Sequence, residues 1–146
     1  MKQRDDKLPD TIKYPETFNA SPAAKYDGVF DWSWTKGCFG QTNITPMDFD
    51  GVVERKGNFI VFETKNWGVQ IPKGQEITLQ QVYGTGVWTV MMIQGKAEPE
   101  MAKVWCAPGF KKGSMMDRYS PITTERARTF VSDWYQFANE SPKCTR

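Results

Sequence analysis

Glu63 and Lys65 stand two residues apart at the end of the apolar run Phe59-Ile-Val-Phe62. In an extended strand, residues i and i+2 share a face, so both ionisable side chains point one way and Thr64 the other. An unpaired charge where a sheet is packed costs several kcal/mol, so such groups persist when they pair, bind a metal or reach a cleft. Asp50 lies one hairpin upstream. If 49–53 and 59–63 pair around Lys56-Gly57, Asp50 comes opposite the Glu63 end, where facing side chains approach within about 5 Å. Two carboxylates that close repel unless one is protonated or a cation lies between them. Oxygen-only donors in a chain without histidine point to Mg²⁺ or Mn²⁺ rather than zinc. Lys65 could then orient and help deprotonate an attacking water, or offset negative charge developing on a phosphate. A metal, an activated water and a cation are what phosphodiester hydrolysis requires. The competing reading is a plain salt bridge between Glu63 and Lys65 at a strand end.

What the chain lacks narrows the chemistry further. With no histidine there is no Ser-His or Cys-His nucleophile and no HEXXH zinc site. Cys38, Cys106 and Cys144 are far apart and form no CxxC pair, so the expectation is buried free thiols in a reducing compartment, with one disulfide as the alternative. The net charge of +2 gives no global basic signature, and a nucleic-acid partner would need a local patch. Lys111 and Lys112, with Arg118, Arg126 and Arg128, are candidates for that patch, the alternative being an ordinary solvated loop and helix face. The N-terminal residues contain no apolar leader segment, and no stretch approaches a membrane span, so the expected location is cytoplasmic, with no membrane partner.

The elements must place these groups. At 146 residues the chain can bury a real core. Residues 1–26, interrupted by Pro9, Pro15 and Pro22, read as an N-terminal arm, and 27–146 as one domain. Phe30, Trp32 and Trp34 recur at even positions, which predicts a half-buried strand over 26–34, followed by a turn at Gly37 and Gly40. Strands are predicted at 49–53 and 59–65, with 54–58 as the turn between them. Apolar residues at both parities of 59–62 mean that both faces of that strand are covered. A short helix over 74–83, strands over 87–94 and 102–106, and a terminal helix over 123–138 complete the order. Thr124 is a candidate cap for that last helix, with Phe130, Val131, Trp134 and Phe137 facing inward. The fold class is α/β, a mixed β-sheet flanked by helices.

The pattern Asp50, a spacer with Gly57, then Phe-Ile-Val-Phe-Glu63-Thr-Lys65 resembles the PD-(D/E)XK nuclease superfamily, over roughly Thr45 to Gln81. The stretch from Thr45 to Glu54 is similar to the DxDG version found in small phage and bacterial members. The resemblance implies a restriction-endonuclease-like fold and Mg²⁺- or Mn²⁺-dependent cleavage of DNA, in phage or mobile-element replication, recombination or processing. It also implies that Asp50 and Glu63 ligate the metal, that the Thr64 carbonyl adds a ligand, and that Lys65 supports the nucleophilic water. Asp48 shares a face with Asp50 and is a candidate second ligand, although the spacing to Glu63 favours Asp50. Gln75 matches the glutamine that some members carry on the following helix. Lys73 and Thr45 are weaker candidates at the same site, and Trp67 could stack on a base or cap the core. Many small members act as homodimers, and a phage-encoded member would work in the host cytoplasm. The alternative, favoured by the modest charge, is a catalytically inactive nuclease-fold protein that grips nucleic acid or a protein partner. An all-β binding module is a third reading, motivated by the Trp-rich first strand.

Overall fold

A computed structural model of the chain describes residues 32–116 and 118–144, apart from the Lys112 side chain. The expected arm over 1–26 and the first part of the predicted 26–34 strand lie outside the described residues. The chain divides into two compact units, Met1–Met47 and Asp48–Arg146.

In the first unit the predicted strand is not what Trp32 and Trp34 form. Ser33–Thr35 is a turn of 3₁₀ helix, and Trp34 is 67% exposed. The Thr35 hydroxyl donates to the Trp32 carbonyl (2.8 Å), a local bond that competes with an extended backbone. Gly37 and Gly40 follow at positive φ, as a turn requires.

The second unit holds a five-stranded mixed sheet in the order β1-β2-β3-β4-β5. The strands are β1 (Gly51–Arg55), β2 (Asn58–Lys65), β3 (Trp88–Gln94), β4 (Met101–Trp105) and β5 (Ser120–Pro121), with helices α1 (Lys73–Gly84) and α2 (Thr124–Glu140). β1 and β2 form a hairpin whose two-residue turn is Lys56-Gly57, both at positive φ (51° and 80°). That primed turn matches the twist of the flanking strands, so β1 runs through Glu54 and Arg55, which the sequence reading placed in the turn. The C-terminal residues brace the hairpin. The Lys143 amide donates to the Lys56 carbonyl (2.8 Å), and the buried Asn58 donates to the Ser141 carbonyl (2.9 Å).

β2 pairs parallel with β3, a connection that needs a crossover, and α1 supplies it. Ile60 and Val61 are both fully buried because each face of β2 is covered. Val61, Val90, Met92 and Trp105 pack with Leu79 of α1. Ile60, Met91, Ala102 and Val104 pack on the other face with Ala127, Trp134 and Ala138 of α2. Alternation along β2 then puts Glu63 and Lys65 on the α1 face with Val61, and Phe62 on the α2 face.

The cap of α2 is Thr123, whose hydroxyl accepts from the Arg126 amide (3.1 Å), and Thr124 is the first helical residue. We predict that Thr123→Ala costs about 1 kcal/mol and Thr124→Ala less than about 0.5 kcal/mol, read from the urea midpoint.

Candidate active site

Three elements build the site at the end of β2. Interior pairing holds β2 rigid, the hairpin brings back Asp50, and the first turn of α1 lies over Glu63. Continuing the register Gly51↔Phe62 by one step sets Asp50 across from Glu63, although the chain has already left the ladder there. The exposed Asp50 carboxylate takes over the role of the missing strand. Its Oδ2 accepts from the Thr64 amide (2.7 Å) and from the Thr64 hydroxyl (2.9 Å). Bonds to a charged acceptor are short and strong, so Asp50 is fixed at Thr64, whose hydroxyl by strand alternation is on the face opposite Glu63, and not side by side with Glu63 as the hairpin alone predicts.

Glu63 is 0% exposed. Its Oε1 accepts from Gln75 Nε2 (2.8 Å) and lies 3.8 Å from the Lys65 ammonium, itself only 12% exposed. A carboxylate withdrawn from water costs several kcal/mol unless hydrogen bonds and a cation compensate, and both are present. Gln75 lies in the first turn of α1, so the start of that helix supplies the donor to the acid. The Gln75 Oε1 atom is buried and has no hydrogen-bond partner among the described residues. It is an acceptor beside a carboxylate, suited to a proton of a bound water.

The loop after Lys65 is tied down by Gln94, which register sets beside Lys65. Gln94 Oε1 accepts from the Gly68 amide (3.3 Å), and its Nε2 donates to the Val69 carbonyl (3.1 Å). Trp67, at the tip of that loop, is 66% exposed, which leaves its ring open to stacking and rules out the core-capping alternative. Lys73 opens α1 and is exposed. Thr45 belongs to the first unit.

The other predicted residues are not gathered with these. Asp48 is exposed, and among the described residues no three His, Cys, Asp or Glu side chains form one cluster, so Asp48 does not join Asp50 and Glu63. Lys111, expected in a basic patch, shares a cavity with Arg126 away from these residues. Its ammonium is ion-paired with Asp133 of α2 (3.0 Å) and lies over Phe110 and Phe130, on the sheet face opposite Glu63. The cysteines also differ from expectation: Cys106 alone is buried, Cys38 and Cys144 are exposed, and all three are free. Burial pushes the Cys106 thiol above its ordinary value, against smaller lowering by Ser114 and Lys111.

Sequence reasoning missed Tyr119, which precedes β5 and packs on the α1-side core. Burial raises its phenol, and the negative charges of Glu63 and then Glu76 raise it further, so the group stays protonated as a donor. No local pattern around Arg118-Tyr-Ser120 marks it, because the loop reaches the site only through the β4–β5 pairing.

No protein-family model, curated protein or solved structure matches the chain. Among the described residues, no helix is long and apolar enough to cross a membrane.

Proposed function

We propose that this protein is a metal-dependent nuclease of the PD-(D/E)XK type, with a restriction-endonuclease-like fold, that hydrolyses DNA phosphodiester bonds. The work of phage or other mobile elements is the setting the sequence resemblance suggests. One observation carries the reading: a fully buried carboxylate, Glu63, shares its strand face with Lys65 at 3.8 Å, while Thr64 between them anchors Asp50. A strand end needs no buried carboxylate–ammonium pair for stability alone, since apolar packing commonly does as well.

Carboxylate oxygens are the donors that a hard divalent cation takes. Asp50 and Glu63 would hold Mg²⁺ or Mn²⁺, and when bound the ion supplies Lewis-acid charge to a phosphate oxygen and to water. This chain's own residues do the remaining work. Thr64 fixes the direction of Asp50 through two bonds to one oxygen. Gln75 holds Glu63 with its amide nitrogen and offers its oxygen to a water proton. Lys65 orients the attacking water and offsets the charge that grows on the phosphate.

Cleavage of plasmid and branched DNA in Mg²⁺ or Mn²⁺ tests this. Lys65→Ala is predicted to lower the rate by about 10²-fold or more at unchanged DNA affinity. Equal rates in wild type and Lys65→Ala refute the role given to Lys65. The Lys65–Glu63 ion pair also supports a second reading, a nuclease-fold protein that binds nucleic acid or a protein partner without cutting. Calorimetric titration with Mn²⁺ separates the two, because only the first requires a Mn²⁺ site that Asp50→Asn removes.

A further inference from the structure

Strand register places another cation on the same face. Glu63 is opposite Met92, and Met92 is opposite Lys103, so these residues form one row across β2, β3 and β4. With neighbouring strands about 4.8 Å apart, the Lys103 backbone is about 10 Å from that of Glu63. The Lys103 ammonium lies 5.3 Å from the centre of the Tyr119 ring and 5.8 Å from that of Trp105. Such ring faces hold a cation in place without neutralising it. Lys103 is half-buried, and among the described residues no carboxylate lies within ion-pairing distance of it.

Tyr119 joins the two ends of the row. Its ring carries the ammonium, while its hydroxyl is buried, has no hydrogen-bond partner among the described residues, and lies within the field of Glu63 and Glu76. A half-withdrawn cation beside an unused donor is a setting for an anion. Held over the Tyr119 and Trp105 rings, the Lys103 ammonium is placed for a phosphate other than the one beside Lys65.

We propose that Lys103 and Tyr119 form a second phosphate subsite, which takes a phosphodiester group of the bound polynucleotide next to the one that is cut. The proposal rests on the nuclease reading for its ligand, and its test does not depend on cleavage. Lys103 supplies the charge, and the Tyr119 hydroxyl moves outward to donate to a phosphate oxygen.

Binding of a fluorescently labelled oligonucleotide to the full chain, followed by anisotropy in EDTA between 50 and 200 mM salt, reads the charge contact directly. Lys103→Met keeps the apolar stem and removes the charge. It is expected to weaken binding roughly five- to tenfold at the low-salt end and to reduce the slope of log K against log salt by about 0.7 for a single strand or about 0.9 for a duplex. Lys103→Arg should restore the slope. Tyr119→Phe should weaken binding by about two- to fivefold with the slope unchanged, because it removes a neutral donor. If Lys103→Met fails to fold, Lys103→Gln carries the same measurement.

An unchanged slope in a folded Lys103 variant overturns the proposal, whether or not the wild type cuts DNA. So does calorimetry in which wild type binds inorganic phosphate, Lys103→Met does not, and oligonucleotide binding is the same for both, since that describes a small-phosphate site. A reduced slope in a protein that cleaves nothing leaves the subsite standing and removes the nuclease reading instead.

Discussion

Glu63→Gln is expected to abolish DNA cleavage, by about 10³-fold or more, and to lower the melting temperature by a few degrees. The two halves of this result have one cause. Glu63 is fully buried and its carboxylate is compensated there by the Gln75 bond and the Lys65 ammonium, so removing its charge takes this counterion from a largely buried Lys65. Gln keeps the shape and an acceptor for Gln75, and it removes the charge that would hold a divalent cation. Several kcal/mol of lost charge stabilisation in the transition state corresponds to about three decades in rate. Asp50→Asn should match it in activity, because it too removes a carboxylate charge, while the fold is kept by an asparagine oxygen that can still accept from both the Thr64 amide and the Thr64 hydroxyl. Initial rates on supercoiled plasmid in Mn²⁺, with melting followed by circular dichroism, give both readouts. A wild-type rate in Glu63→Gln sinks the catalytic assignment.

The parts of this site that the sequence shows are those written in short-range pattern. Apolar residues at both parities of 59–62 require cover on both faces, and Ile60 and Val61 have it. The hairpin around Lys56-Gly57 follows from a glycine that tolerates positive φ, and it fixes which residue returns to Glu63. The strand predicted through Trp32 and Trp34 fails because a period of two states only which residues alternate. It is blind to the Thr35 hydroxyl that turns the chain. The cap shifts from Thr124 to Thr123 because two adjacent threonines offer the same chemistry, and only the helix start decides between them. Lys103 and Tyr119 are hidden for a more general reason. Their place beside Glu63 is set by the β2–β3–β4 register and a loop return, and no spacing along the chain encodes either. The same holds for the pairing of Lys111 with Asp133, 22 residues away, which only the fold brings about.

The largest effect on stability should come from the reverse face of the sheet. Trp134 of α2 is 1% exposed and packs with Ile60 and Met91 behind the strand that carries Glu63. Trp134→Ala leaves a large cavity there and is expected to cost about 3–5 kcal/mol. At about 3 °C per kcal/mol, that lowers the melting temperature by roughly 10–15 °C. Trp134→Phe should behave differently. The indole Nε1 is buried with no acceptor among the described residues, so the native side chain already bears the cost of an unmade hydrogen bond. Phenylalanine gives up some volume but removes that donor, and the two changes offset to a net loss of about 1 kcal/mol or less. Equal losses in the two variants would show that the N–H is satisfied and that volume alone matters. The pair also separates fold from chemistry. Trp134→Ala should lose cleavage only near its own melting temperature and regain it on cooling, whereas Glu63→Gln should stay inactive at every temperature at which it is folded. Ile60 and Glu63 are on one strand with opposite duties, and the packing behind the sheet acts on the rate only through the fraction of molecules in which that strand is in place.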